Sequence, residues 1–428
     1  MPGCLSRSAT AITPHPLGRA IAVNFNSNVR HLRKLLVVAV PATVLAVLLG
    51  AVLVEAWVRF SWDDRRGRPG FYVSDAALGQ RLAPNYEGWF AGVPVKINAL
   101  GFRDDRDYAL DKPAGAVRIL VLGDSVTFGH GTRSETTYPY LLEQRLREWK
   151  PEIQWQVWNL GVPGYATSQE LAYLQRVAAS YDPDLVVVGF YENDLTGNEP
   201  AHSPSALRRL ASAIQASMQR RLYSYEFYKR AILTVQWRLF TDAAMRQRLE
   251  HLDTQEIPLM RRDYSAGAES QQLTDVERFE PAEVEHYFCA QVPEPNRRRA
   301  ADLRHRIEGP DADMAAWLNA VRGWQRLAAG AAYPVVFFVN MAPEVCQADD
   351  RFFDGGSLEV DEVLRGVLGQ GTPVVSTVRE FLKFRPSQMP GASAHAVGNA
   401  NRVKADVLFD FLQQQILPGL LPSTMHPR

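Results

Sequence analysis

Cysteine is scarce in this chain: three residues in 428, at Cys4, Cys289 and Cys346. They do not combine with histidines into a four-ligand zinc pattern, so the sequence does not suggest a structural zinc module. There is no surplus of either charge, since 47 basic residues balance 47 acidic ones. That balance supplies no electrostatic reason for a nucleic-acid or strongly acidic partner. The chain has no glycine-rich phosphate cradle, no internal repeat and no basic stripe interleaved with aromatics. Long, almost wholly apolar runs are missing too, with one exception.

The exception is LLVVAVPATVLAVLLGAVLV, Leu35 to Val54. A helix needs about 20 apolar residues to cross a bilayer, so this run is long enough. Pro41 inside it is tolerable because neighbouring groups re-satisfy the freed carbonyl. A cleaved leader would carry a shorter apolar region, about 7–15 residues, ending at a small-residue site. Residues 35–58 are therefore expected to be an uncleaved transmembrane anchor, and 1–34 an N-terminal tail. Basic residues stand on both sides, Arg30, Arg33 and Lys34 before and Arg59, Arg65, Arg66 and Arg68 after, so their count does not orient the span. A short tail before one early span favours export of the large C-terminal part. The expectation is a single-pass inner-membrane protein with its large domain in the periplasm. In an oxidising compartment Cys289 and Cys346 could pair, or both could be buried thiols packing as small hydrophobes.

Residues 59–116 read as a linker and an N-terminal subregion. Residues 117–428 read as the main domain, where apolar runs alternate with amphipathic ones. Val117–Leu122, Trp155–Leu160, Leu185–Phe190, Pro334–Asn340 and, more weakly, Val374–Val378 are strand candidates. Thr137–Trp149, Ser168–Ser180, Met314–Ala329 and Arg402–Ile416 have helical spacing, with Ser168 placed as an N-cap. Fully apolar strands separated by helices indicate an α/β fold, a three-layer αβα sandwich around a central parallel sheet. The alternation fails at about 196–310, where amphipathic helical sequence is followed by a polar, loop-rich stretch. That insertion can be a lid or substrate wall, a helical decoration, or a helix resting on a membrane surface.

In such sheets ligands sit beyond the carboxyl ends of the strands. Four pieces converge there. VRILVLGDSVTFGHG presents Ser125 directly after the first strand. A serine hydroxyl is a poor nucleophile without a base and without donors for the oxyanion it creates. NLGVPGYAT follows the second strand with Gly161 and Gly164, and GFYENDL follows the third with Asn193. His395, in SAHAVGNANRVKADVLFDFL, precedes the last helix and can reach the same rim as a base.

In this order the pieces resemble the SGNH hydrolases, the GDSL-type esterase superfamily, over about Val117 to Leu417 without the insertion. The resemblance implies a flavodoxin-like fold and an acyl-enzyme mechanism without metal or organic cofactor. It implies Ser125 as nucleophile and His395 as general base. The N–H groups of Ser125 and Gly161 and the Asn193 amide would form the oxyanion hole, and Asp124 would brace the loop. INALGFRDDRDYALDKPAGAVRILVLGDS, Ile97 to Ser125, resembles a bacterial membrane-anchored subgroup that often acts on acylated cell-surface polysaccharide. An O-acyltransferase would use the same site, with a sugar hydroxyl in place of water.

One position departs from the family. The acid three residues before the histidine is here Ala392. Three readings follow: a serine–histidine dyad, a carboxylate from elsewhere such as Glu380, or a weakened module that only binds glycan. Glu192 stands where a small residue is usual. His130 lies so close to Ser125 along the chain that it is placed to line the pocket, not to serve as base. Asp182 and Asp184 belong to the turn before the third strand, and the carboxylates of FDGGSLEVDEV, Phe353 to Val363, to a solvated helix start.

Overall fold

The computed structural model describes residues 25–62, 68–198, 206–240, 272–276, 278, 294–346, 349–393 and 395–421. The chain divides into two compact units, Met1–Ser61 and Trp62–Arg428.

The first unit is the helix α1, Phe25–Ser61, which runs through Pro41 and reaches ten residues into the expected tail. Its stretch Val37–Ser61 is long and apolar enough to cross a membrane. Val37, Leu45, Leu48 and Leu53 are among its exposed side chains, while Val58 near its C-terminal end is buried.

The second unit is built on five parallel strands. They are β5 (Ala116–Gly123), β6 (Gln154–Asn159), β7 (Leu185–Phe190), β8 (Val335–Val339) and β11 (Val374–Ser376), in the order β11-β8-β7-β5-β6. That is the flavodoxin-like 2-1-3-4-5 arrangement. Side chains alternate across a strand, and both faces are covered. Leu120, Leu122, Val186, Val188, Phe337 and Val339 point into one core, with Leu174, Trp317 and Leu364 from covering helices. Ile119, Val121, Leu185, Val187, Val336 and Phe338 point into the other, with Leu142, Leu146 and Leu408. Burial on both faces is the physical reason these strands read as unbroken apolar runs. The covering helices are α3 (Tyr138–Trp149), α4 (Thr167–Tyr181) and the helices Ala312–Gly330, Ser357–Leu368 and Asn399–Phe411.

Several expectations shift. Ser168 lies inside α4, not at its cap, and its N–H is taken by Asn198 Oδ1 at 2.9 Å. The helix is capped two residues earlier, at Ala166, whose N–H donates to Gln169 Oε1. The N-terminal subregion holds two hairpins that period-2 patterning over four residues is too short to reveal. These are β1–β2 (Tyr72–Asp75, Gly79–Leu82) and β3–β4 (Glu87–Phe90, Val93–Lys96), and Leu78, Leu82, Val93 and Val95 join the main core. In the insertion, α5 (Ala206–Arg221) and α6 (Tyr223–Phe240) are helical as expected. A further helix, Glu294–Glu308, occupies part of the stretch expected to be loop. Its buried pair Ala300 and Leu303 is hidden in the sequence among arginines. Asp182 and Asp184 do sit in the turn before β7, where Asp184 accepts from Arg118 N–H at 2.7 Å. Cys346, in the hairpin β9–β10 (Glu344–Cys346, Arg351–Phe353), is buried and disulfide-bonded. Cys289 lies outside the described residues.

Candidate active site

Register brings three loops to one rim. Gly123 at the end of β5 pairs with Gly189 of β7, and Val121 pairs with Asn159 at the end of β6. Past Gly123 the chain turns at once into the short helix α2, Ser125–Phe128. Asp124 makes the turn, its Oδ1 accepting Val126 N–H at 2.8 Å. Ser125 is then the first helical residue, half-buried, with a main-chain N–H that has no acceptor within the helix.

The Ser125 hydroxyl lies 2.9 Å from His395 Nε2, across 270 residues of chain. The distance is that of an O–H to imidazole hydrogen bond, and with the ring proton on Nδ1 the serine is the donor. Asp124 Oδ2 accepts Asn193 Nδ2–H at 2.8 Å and lies 3.4 Å from Ser125 Oγ. One carboxylate therefore braces the turn, the serine and the asparagine. An amide carries two N–H bonds, and this contact uses one of them.

Gly161 does not fit the role expected of it. Its N–H donates to Asn159 Oδ1 at 3.0 Å, while Asn159 Nδ2 donates to Thr127 O at 2.9 Å. A Cβ on Gly161 would stand 2.3 Å from Phe128 N. This glycine is there so that the loop after β6 can lie against the backbone of α2. Three residues on, Gly164 is exposed at φ +83°, a left-handed conformation. Its N–H makes no main-chain hydrogen bond among the described residues. The sequence signal was the second glycine of the same motif, which composition alone does not separate from the first.

The position of the family's acid is closed to a carboxylate. Ala392 is 3% exposed and packs in an apolar cluster with Phe352, Phe381, Phe384 and Met389. Glu380, the nearest upstream candidate, is engaged by Arg278 and by Lys383 Nζ at 2.7 Å. Glu192 is paired with Arg299, which also reaches Glu344 at 2.9 Å. That clasp ties the helix Glu294–Glu308 to the loop of Asn193. Behind the rim, Glu170 and Asp194 are fully enclosed, and burial holds both carboxyls well above the usual carboxylate range, with the nearby charge of Asp124 adding to it.

His130 lies against His395. Their rings are 4.3 Å apart between centroids and inclined by 21°. His130 belongs to the loop that follows α2, and buried Arg103 holds that loop by donating to Phe128 O at 2.7 Å, Gly129 O at 2.5 Å and Thr132 O at 2.5 Å.

Residues 121–269 match the model of the GDSL-like lipase/acylhydrolase family. The match includes Ser125, Gly161 and Asn193 and stops short of His395. An arylesterase of Vibrio mimicus is 34% identical over 101 residues, 23% of this chain and 50% of that protein. The thioesterase 1/protease 1/lysophospholipase L1 of Escherichia coli K12 is 28% identical over 107 residues, 25% of this chain and 49% of that protein. The chain thus spans about half the length of the curated relatives it matches. Among solved structures, an acetylxylan esterase from Geobacillus stearothermophilus aligns over 73% of this chain and 99% of its own, at 12% identity and a TM-score of 0.34. Residues 121–269, which begin in the first sheet strand and carry the GDS turn at its end, are thus similar to the GDSL-like lipases and acylhydrolases.

Proposed function

We propose that this protein is a serine esterase that cleaves a carboxylic ester through an acyl-enzyme on Ser125. The observation that carries the reading is the 2.9 Å contact between Ser125 Oγ and His395 Nε2. His395 takes the hydroxyl proton as Oγ attacks the ester carbonyl, and a tetrahedral oxyanion forms. Its donors are the Ser125 N–H, the second N–H of the Asn193 amide and, in place of Gly161, the exposed N–H of Gly164. Collapse expels the alcohol, which leaves with the proton His395 carried. Water, deprotonated by the same ring, then releases the acid and restores the serine.

The substrate class we favour is an O-acylated carbohydrate of the cell envelope. The support is the likeness of Ile97–Ser125 to the membrane-anchored subgroup, together with the candidate span Val37–Ser61 ahead of the catalytic unit. In this reading the span sits in the inner membrane and the second unit works in the periplasm.

The test is the Ser125→Ala variant of the full chain assayed on a short-chain aryl ester. Turnover is expected to fall on the order of 10⁴-fold or more, with the thermal midpoint unchanged within about 2 °C. Turnover that persists in the variant rejects the mechanism.

A further inference from the structure

We propose that His130 is a positioning residue for His395, holding the plane of the catalytic imidazole by stacking on its face. The inference rests on the reading of His395 as the base. A hydrogen bond from Ser125 to Nε2 is directional, so the ring plane has to be set as well as its position. Histidine χ2 is a broad torsion and does not set that plane by itself. In a serine–histidine–aspartate site the plane is set by a carboxylate on the far nitrogen. Here the local position for such a group is Ala392, enclosed among apolar side chains.

Against the face of the His395 ring the site sets a ring wall. His130 lies 4.3 Å from His395 at 21°, close to parallel. Its own orientation is set from behind by Phe90 of β3, edge-on at 5.1 Å and 80°. Phe90 in turn stacks on Phe71 at 4.2 Å and meets Phe128 at 5.4 Å. The main chain of His130 is tied to the nucleophile turn itself, since its N–H donates to Ser125 O at 3.0 Å. Arg103 pins the carbonyls on either side of His130. The wall and the nucleophile therefore share one rigid segment, and a ring resting on the wall is held in register with Ser125.

The full chain is compared with its His130→Ala, His130→Leu and His130→Phe variants by two measurements. The first is kcat and KM on the aryl ester. Ala and Leu are expected to lower kcat by about 10- to 100-fold with KM within about 3-fold, and Phe, which restores a flat ring, to return kcat to within about 3-fold of the parent. The second is the order of the His395 ring, from relaxation of its Cε1–H in protein labelled with ¹³C-histidine. It should fall in the Ala and Leu variants and be kept in the Phe variant. Leu restoring kcat as well as Phe does would reduce His130 to a space-filling group, and an unchanged His395 ring in the Ala variant would overturn the proposal outright. Should the parent neither turn over an ester nor be labelled by a fluorophosphonate, the esterase reading falls, while the ring-order comparison still decides the role of His130.

Discussion

Lys404, in the helix Asn399–Phe411, is fully buried, and its ammonium nitrogen has no hydrogen-bond partner among the described residues. Removal from water drives its pKa from 10.5 down to about 7, against the pull of the Asp124 charge. The folded state therefore disfavours the proton that the unfolded chain keeps up to pH 10.5. The penalty is fully present below pH 7, where the folded protein must enclose the charge. It is relieved progressively as pH rises from 7 towards 10.5, so stability climbs across that window. Lys404→Met is expected to stabilise the fold by about 3 kcal/mol at pH 6 and by clearly less at pH 9.5. Thermal midpoints of parent and variant at the two pH values check this, and an equal gap at both would refute it. The same residue scale explains Asp124, whose carboxylate has bonds to spare for Val126, Asn193 and Ser125.

At the scale of elements, the β3–β4 hairpin and the loop after α2 work as one support. Arg103 follows the hairpin, bridged through Ile97, and its two terminal nitrogens donate to three carbonyls around Gly129. A planar fork with several donors suits three diverging carbonyls, and a lysine ammonium on a flexible stem does not. Arg103→Lys is expected to cost about 2–4 kcal/mol, because buried carbonyls lose charged donors without gaining water. It should also lower kcat, since the loop carries the ring that packs on His395. Thermal unfolding and turnover of the variant test both, and a variant with parental stability contradicts the account. The hairpins could not be read from sequence because four-residue strands with partly exposed faces carry too little periodicity. The sheet strands were legible, since burial on both faces turns each into an apolar run.

At the scale of the whole molecule, a helix with a long exposed apolar stretch, Val37 to Leu53, precedes a unit that folds around its own double-sided core. Such a helix is stable in a bilayer and costly in water. The full chain is expected to stay in the membrane fraction through an alkaline carbonate wash. The chain beginning at Trp62 is expected to partition into the soluble fraction, and membrane retention of that shorter chain would show that the second unit binds the bilayer by itself.

By its own local patterning the sequence determined the apolar helix, the strand positions and the placing of Ser125, Asn193 and His395 at chain turns. These depend on composition and period over a few neighbouring residues, which are present in the linear text. Only the tertiary structure decided which glycine of NLGVPGYAT keeps its N–H free, that Ala392 sits in an apolar pocket, and that His130 faces His395. A hydrogen-bond commitment or a ring contact is a property of two segments brought together by folding, and neither segment carries it alone.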